Sequence, residues 1–413
     1  MTYVDHIINK NFRMNILFLT VVKIKSLDDG GIFPDLLRKF RNEGHNVYIM
    51  SPIERRDKLK SHTIKERNTE ILKVKTLNIQ KAHLIEKGIA TLAIEYQYLR
   101  ALKFNFSNVK FDLVLYSTPP ITFSKVIEYV KKRDNAFSYL LLKDIFPQNA
   151  VDMGMLKKGG LLHKFFLMKE RKLYGISDKI GCLSQANVDF VLRHNPEVDP
   201  NKLEINPNSI DPKEKVITLE QKQNIKTKYG LPFDKKIFAY GGNLGKPQGL
   251  DFLFSTINKT INEDLFFLIV GSGTEYDRVK SFFDTNKPKN AKLLKGLPKV
   301  DYDILLNACD VGLIFLHKDF TIPNIPGRLL SYLELSMPVI AATDVNTDIN
   351  EIIEKNKCGY WLESGDDEAM QVAISNMMNN EPYFKEMKIN ALKLLQDKYS
   401  VSRTYNLIMK ENV

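Results

Sequence analysis

The chain has 413 residues, more than one hydrophobic core ordinarily serves, so two domains are expected. A hydrophobic share of 44% with 26% charged residues excludes a disordered or fibrous chain, and no apolar run reaches the ~18 residues of a membrane-spanning helix. The net charge of +11 is one-sided: residues 1–210 hold 34 Lys/Arg against 22 Asp/Glu, whereas residues 211–413 hold 26 against 27.

A basic half suits nucleic acid, an anionic membrane surface or simply a solvated basic face; no nucleic-acid recognition motif accompanies the charge, which favours the membrane over nucleic acid. Cys182, Cys309 and Cys358 lie far apart without metal-ligand spacing, as expected of a reducing cytoplasm. Residues 1–13 lack the apolar stretch of a signal peptide and read as an extension, with structure starting at Met14.

From Met14 the predicted elements alternate. NILFLTV reads as a strand, followed by the Gly30-Gly31 turn and a helix around FPDLLRKFRNEG that Gly44 ends before the strand NVYIMS. FDLVLYST, a helix through ITFSKVIEYVKKR and SYLLLKD continue the rhythm. The long helix GGLLHKFFLMKERKLYGIS and the strand KIGCLS complete it. Near-continuous apolar strands between helices indicate a parallel sheet covered on both faces. In the long helix, Leu161, Leu162, Phe165, Phe166 and Leu173 among Lys164, Lys169, Arg171 and Lys172 form an apolar stripe expected to pack on the sheet, with contact to a membrane the alternative use, and His163 is expected at the surface.

The polar, proline-rich INPNSIDP (205–212) reads as a linker. The alternation then restarts with KIFAYGGNL, DLFFLIVGSG, AKLLKGL, DVGLIFL and PVIAAT as strands separated by helices. The chain is thus an α/β protein of two doubly wound units, whose ligands are expected beyond the carboxyl ends of the strands.

Three loops of the second half are suited to an anion. YGGNLGKPQGL, residues 240–250, is glycine-rich but is no Walker A loop, because Pro247 stands where Ser or Thr would hold magnesium. VGSG ends one strand, and Pro326-Gly327-Arg328 opens a helix whose first N–H groups attract negative charge. The aspartates of DYD, Asp301 and Asp303, precede a helical run, so Asp301 reads as a helix cap rather than as a metal ligand. No HExxH, GxSxG or paired-cysteine motif is present.

The order GGNLGKPQGLDFL, FLIVGSG, LKGLPKVDYDILLNACDVGLIFL, IPGRLLSYLELSMPVIAATD, CGYWLESGD resembles the C-terminal domain of family 4 retaining glycosyltransferases. The Gly30-Gly31 turn, EGHNVYIMS and NPNSID resemble the family's N-terminal half, and the likeness runs nearly throughout from Met14. Within the family the chain is similar to transferases of bacterial capsule and O-antigen assembly, including the L-fucosamine-transferring branch.

The resemblance implies a GT-B fold of two Rossmann-like domains facing a cleft. The acceptor domain would be residues 14–208, the nucleotide-sugar domain 209–395, and residues 396–413 a helix crossing back to the first. It implies transfer of an N-acetylated amino sugar, such as FucNAc or GlcNAc, from a UDP-sugar donor. The acceptor would be a lipid-linked saccharide of the undecaprenyl diphosphate type. The reaction would need no metal or other cofactor, at the cytoplasmic face of the bacterial plasma membrane.

The donor diphosphate would lie against Gly242, Asn243, Lys246, Gln248, Gly271, Gly273 and the helix start Pro326, Gly327, Arg328, Leu329, Leu330. The base would pack near Gly296 and Leu297, and Gly30 and Gly31 would approach from the first domain. Arg328 and Lys246 would offset the charge of the departing group, while Lys143 and Asp144, where the family often has His-Asp, would contact acceptor or sugar. Two family glutamates separated by seven residues read Pro323 and Ser331 here, and Glu334, one turn on, is the expected substitute for the second. Those departures keep two alternatives open: a nucleotide-sugar 2-epimerase, and a scaffold subunit with a decayed nucleotide site.

Overall fold

The computed structural model describes residues 13–79, 84–213 and 217–410, so the extension, apart from Arg13, lies outside the described residues. The chain divides into two compact units. The first comprises residues 1–151, 156–211 and 401–413, and the second 152–155 and 212–400.

The first unit is built on an eight-stranded sheet. Its strands are β1 (Asn15–Leu19), β2 (Asn46–Glu54), β3 (His62–Glu66), β4 (Thr69–Thr76), β5 (Leu113–Ser117), β6 (Phe137–Leu142), β7 (Lys179–Cys182) and β8 (Leu203–Ile205). They lie in the order β3-β4-β2-β1-β5-β6-β7-β8, all parallel except β3, which runs antiparallel to β4. The parallel strands are apolar because both faces are covered: Ile16, Leu17, Phe18 and Leu19 of β1 have no exposed surface. The edge strand β3 is polar and partly exposed, as a one-sided edge permits.

The helix Ile32–Asn42 buries Leu36, Leu37 and Phe40, and Gly44 follows its end with φ +94°. Residues Val401–Lys410 also form a helix belonging to this unit. Its Val401 and Ile408 share a core with Leu36 and Phe40, and Tyr405 packs edge-on against Phe40 with ring centroids 4.9 Å apart. The Tyr405 hydroxyl and the His45 Nε2 are hydrogen-bonded at 3.0 Å. The last helix of the chain therefore completes the core of the first unit.

The second unit has six parallel strands: β9 (Lys236–Asn243), β10 (Leu265–Ser272), β11 (Ala291–Lys295), β12 (Val311–Phe315), β13 (Val339–Thr343) and β14 (Gly359–Glu363). Their order is β11-β10-β9-β12-β13-β14. A core of Phe238, Tyr240, Phe267, Ile269, Leu313 and Phe315 is sealed by the helices Leu250–Lys259 and Asp367–Asn379.

Three local expectations are corrected. Pro298, not Asp301, caps the helix Lys299–Leu306; Asp301 lies in its first turn and pairs with Lys228 at 3.6 Å. His163 is buried rather than superficial, and its Nδ1 accepts from the Gly159 amide at 3.2 Å, which closes the start of its helix. The apolar stripe of that helix does not all pack: Leu161 and Leu162 face solvent.

Candidate active site at the carboxyl edges

The six-stranded sheet reverses its winding at β9, with β10 and β11 on one side and β12, β13 and β14 on the other. Loops leaving β9 and β12 diverge there, and such a switch point opens a crevice beyond the strand ends.

The exit of β9 is pinned on both sides. The Leu244 amide donates to the Ser272 carbonyl at 3.0 Å, and the Glu275 amide to the Leu244 carbonyl at 2.9 Å. On the other side, the His317 amide donates to the Pro247 carbonyl at 2.9 Å. Gly242 is in register with Gly271, and Gly271 with Lys295, which brings Gly296 beside them. Gly242 has φ +125°, a conformation closed to most L side chains, and a Cβ on Gly271 would overlap the Gly242 carbonyl. Three glycine turns that are far apart in sequence thus share one edge. Gly242, Asn243, Ser272, Gly273 and Gly296 are exposed on it, Leu297 is half-buried, and Gly271 is buried behind Gly242.

Arg328 is the cation built into this edge. Its guanidinium lies over the Tyr240 ring, 4.4 Å from the centroid, and its Nη2 donates to Gln248 Oε1 at 2.6 Å. The Tyr240 hydroxyl donates to the Asn243 carbonyl at 2.8 Å, tying the ring to the same loop. Nη2 lies 3.6 Å from the position a Cβ on Gly242 would take, so the charge stands immediately behind that backbone. Nη1 is buried and has no hydrogen-bond partner among the described residues, an arrangement that costs energy unless a ligand completes it. Lys246, one turn away in the same loop, is exposed.

The helix start contributes less than its sequence promises. The helix spans only Arg328–Glu334, and the amides of Leu329 and Leu330 donate to the carbonyls of Pro326 and Gly327 at 3.0 and 3.2 Å. Their side chains and Pro326 are buried; Gly327 is exposed and Ser331 half-buried. Glu334 closes the helix at its other end, where its Oε1 accepts from the Lys213 amide at 3.3 Å. Tyr240 and the clamping role of Gln248 escape sequence reasoning. Tyr240 sits in an apolar strand and reads as core, and Gln248 is 80 residues from the arginine it holds.

The first unit gathers a second group at the ends of β5, β6 and β8. Thr118 Oγ1 accepts from the Lys143 and Asp144 amides at 3.1 and 3.2 Å, and Asn149 donates to Asp144 Oδ2 at 2.8 Å. Lys143 Nζ reaches the Asn206 carbonyl at 3.3 Å. Burial lowers the Lys143 ammonium to about 7 and raises the Asp144 carboxyl to about 6. Gly30 and Gly31 precede the helix Ile32–Asn42; the Gly31 amide already donates to Asp35 Oδ1 at 3.2 Å, whereas Gly30 stands in open space.

Those shifts have a measurable sign. Between about pH 7 and 10.5 the unfolded chain holds a proton on Lys143 that the folded chain has lost, so this group makes stability rise with pH across that window. Between 3.8 and about 6 the folded chain retains a proton on Asp144 that the unfolded chain has lost, so stability falls as pH rises. Thermal melts from pH 4 to 10 should show Lys143→Met flattening the alkaline limb and Asp144→Asn the acid limb; unchanged limbs would contradict the burial of these charges.

Residues 221–394 match the glycosyl transferases group 1 family. The matched segment contains all three glycine turns, Arg328 and the switch point. The chain is also 24% identical over 301 residues to the probable glycosyltransferase WbjE of Pseudomonas aeruginosa, covering 72% of this chain and 73% of that one. It is 25% identical over 133 residues, 32% of each chain, to the putative colanic acid biosynthesis glycosyl transferase WcaI of Escherichia coli K12. Among solved structures, Anabaena HepE in complex with UDP superposes with a TM-score of 0.68 at 13% identity, over 96% of this chain and 99% of that one. The two parallel-sheet units are those of the GT-B fold.

Proposed function

We propose that the chain is a retaining glycosyltransferase that moves an N-acetylated amino sugar from a uridine diphosphate donor to a lipid-linked saccharide. The acceptor would be of the undecaprenyl diphosphate type, used in capsule or O-antigen assembly at the cytoplasmic membrane face. The observation that carries this is the Arg328 guanidinium, stacked on Tyr240, fastened by Gln248 and placed behind Gly242 with one nitrogen unused. In the transfer, the bond from the anomeric carbon to the donor phosphate oxygen breaks, and its electron pair leaves with the uridine diphosphate. The acceptor hydroxyl bonds to that carbon, and its proton passes to the departing phosphate oxygen. Negative charge therefore grows on the diphosphate, and a fixed cation whose position is set before the reaction stabilises that charge most.

Lys246 supplies a second, exposed cation from the same loop, and Gly242, Asn243, Gly273 and Gly296 present the exposed backbone on which donor phosphates and base rest. Lys143 and Asp144, whose proton affinities burial brings near neutrality, are the acceptor or sugar contacts in this reading. The name of WbjE supports sugar transfer, that of WcaI supports transfer in colanic acid biosynthesis, and the UDP held by HepE supports the nucleotide. Asp301 and Asp303 are engaged by Lys228 and Lys299, which supports a reaction that runs without a metal.

Calorimetry with uridine diphosphate should detect binding that chelator does not abolish, and a membrane extract with a panel of nucleotide sugars should gain a glycosylated lipid by mass spectrometry. Silence at millimolar nucleotide would sink the transferase in favour of a scaffold, and an epimer formed from donor alone would replace it with an epimerase.

A further inference from the structure

Two helices of the first unit are apolar on more than the side that packs. The helix Leu84–Asn105 buries Ala90, Ile94, Tyr98 and Leu102, a regular i, i+4 stripe. On the opposite side of the helix, Ile89, Leu92 and Tyr96, at i, i+3 and i+7, are 56%, 51% and 67% exposed, and Phe104 farther along is 86% exposed. The helix Leu161–Ile176 buries Leu173 and Tyr174 but leaves Leu161 88%, Leu162 63% and Met168 56% exposed. Single exposed apolar residues are ordinary, but two helices of one unit presenting four and three of them are not.

They lie on one face of the sheet with the helix Ser124–Asp134 between them, and they touch through one ion pair. The connections β4 to β5, β5 to β6 and β6 to β7 all advance in one direction across the sheet, so right-handed crossovers place their helices on one face. Lys169 of the second helix donates to Glu95 of the first at 3.3 Å, and both residues are largely buried. Helices that return antiparallel to their strands begin at the carboxyl edge, so the exposed residues of their first turns lie toward the edge that carries Lys143 and Asp144. Phe166 confirms the proximity: its ring lies 4.9 Å from that of Phe146, two residues beyond Asp144.

Charge distinguishes what can cover this face. Lys157, Lys158 and Lys164 are exposed around the start of the second helix and form no ion pair with a described residue, whereas Arg171 and Lys172 farther along pair with Glu197 and Glu128. Free cations thus collect beside Leu161 and Leu162. Apolar side chains that project from a helix start ringed by lysines match a bilayer surface, where the former enter the acyl boundary and the latter meet anionic headgroups.

We propose that the face formed by Ile89, Leu92, Tyr96, Leu161, Leu162 and Met168, with Lys157, Lys158 and Lys164, docks on an anionic lipid bilayer. It deepens the reading of a lipid-linked acceptor, since it would hold the Lys143–Asp144 edge at the depth where such an acceptor's sugar emerges.

Flotation of the full chain with phosphatidylcholine vesicles, with and without phosphatidylglycerol, tests it. Binding is expected only to the anionic vesicles and should weaken with salt. A Leu161→Asp/Leu162→Asp variant, and separately a Lys157→Glu/Lys158→Glu variant, should each bind at least about tenfold less. Melting temperature and uridine diphosphate calorimetry should remain at wild-type values, which shows that each variant is folded. Vesicle binding that ignores headgroup charge, or that survives both variants, overturns the proposal. So does a wild-type dimer by light scattering that Leu161→Asp/Leu162→Asp converts to monomer, because the face would then join two copies. Loss of nucleotide binding with vesicle binding intact would instead refute the transferase reading and leave this one standing.

Discussion

Arg328→Ala should lower sugar transfer more than tenfold, a loss of more than about 1.4 kcal/mol of transition-state stabilisation. The effect should fall on kcat, because the charge that Arg328 meets is largest as the diphosphate departs and smaller in the bound donor. Arg328→Lys should recover only part of it. A lysine brings the charge but not the plane that lies 4.4 Å from the Tyr240 centroid, nor the fork that reaches Gln248 at 2.6 Å. Gln248→Leu offers a subtler test: it leaves the guanidinium in place but unfastened, so activity should fall while nucleotide affinity changes little. Steady-state rates with the identified donor, measured beside the melting temperature of each variant, separate chemistry from folding. An Arg328→Ala enzyme working near the wild-type rate would remove Arg328 from the mechanism and with it the central observation of the proposed function.

The second large effect belongs to a residue that need not touch the donor at all. Gly271→Ala would place a methyl group on the Gly242 carbonyl, and neither partner is a side chain that can turn away. Overpacking of this kind costs typically about 1–3 kcal/mol. The strain would be relieved by displacing the β9 exit, so stability and uridine diphosphate affinity should fall together. Gly296→Ala makes a fair comparison: its new methyl would meet the Ser272 hydroxyl at 3.1 Å and Cβ at 3.2 Å, contacts that a small shift relieves. Melting curves should separate the two, with a clear loss for Gly271→Ala and a small one for Gly296→Ala. Equal tolerance of both would mean that the β9 exit is free to move and does not form a preorganised cradle.

These expectations depend on how unevenly the site is written in the chain. The strands are legible because a sheet covered on both faces demands unbroken apolar runs, and NILFL, LVLYS and VGLIF supply them. Between residues 52 and 112 the sequence reading assigns no element before FDLVLYST, and there the structure places β3, β4 and the 22-residue helix Leu84–Asn105. That helix carries apolar residues on two sides, which blurs the period by which an ordinary surface helix is recognised. Its outer apolar side carries the exposed Ile89, Leu92 and Tyr96, so the same property that hid the element in the sequence contributes to the proposed docking face.

Local chemistry therefore sufficed for the alternation of strands and helices, the glycine turns, the excess of positive charge in the first half and the arginine after Pro326-Gly327. Which of these meet was decided only in three dimensions. Arg328, Gln248, Tyr240 and Gly242 come from two strand exits brought together where the sheet reverses its winding. Asp35 occupies the Gly31 amide, and Leu329 and Leu330 commit theirs within the chain. Glu334 is drawn to the Lys213 amide, away from the helix start. The reason is physical: propensity and periodicity act over a few residues, whereas a buried charge or an amide is satisfied by whatever folding places next to it, often across many tens of residues.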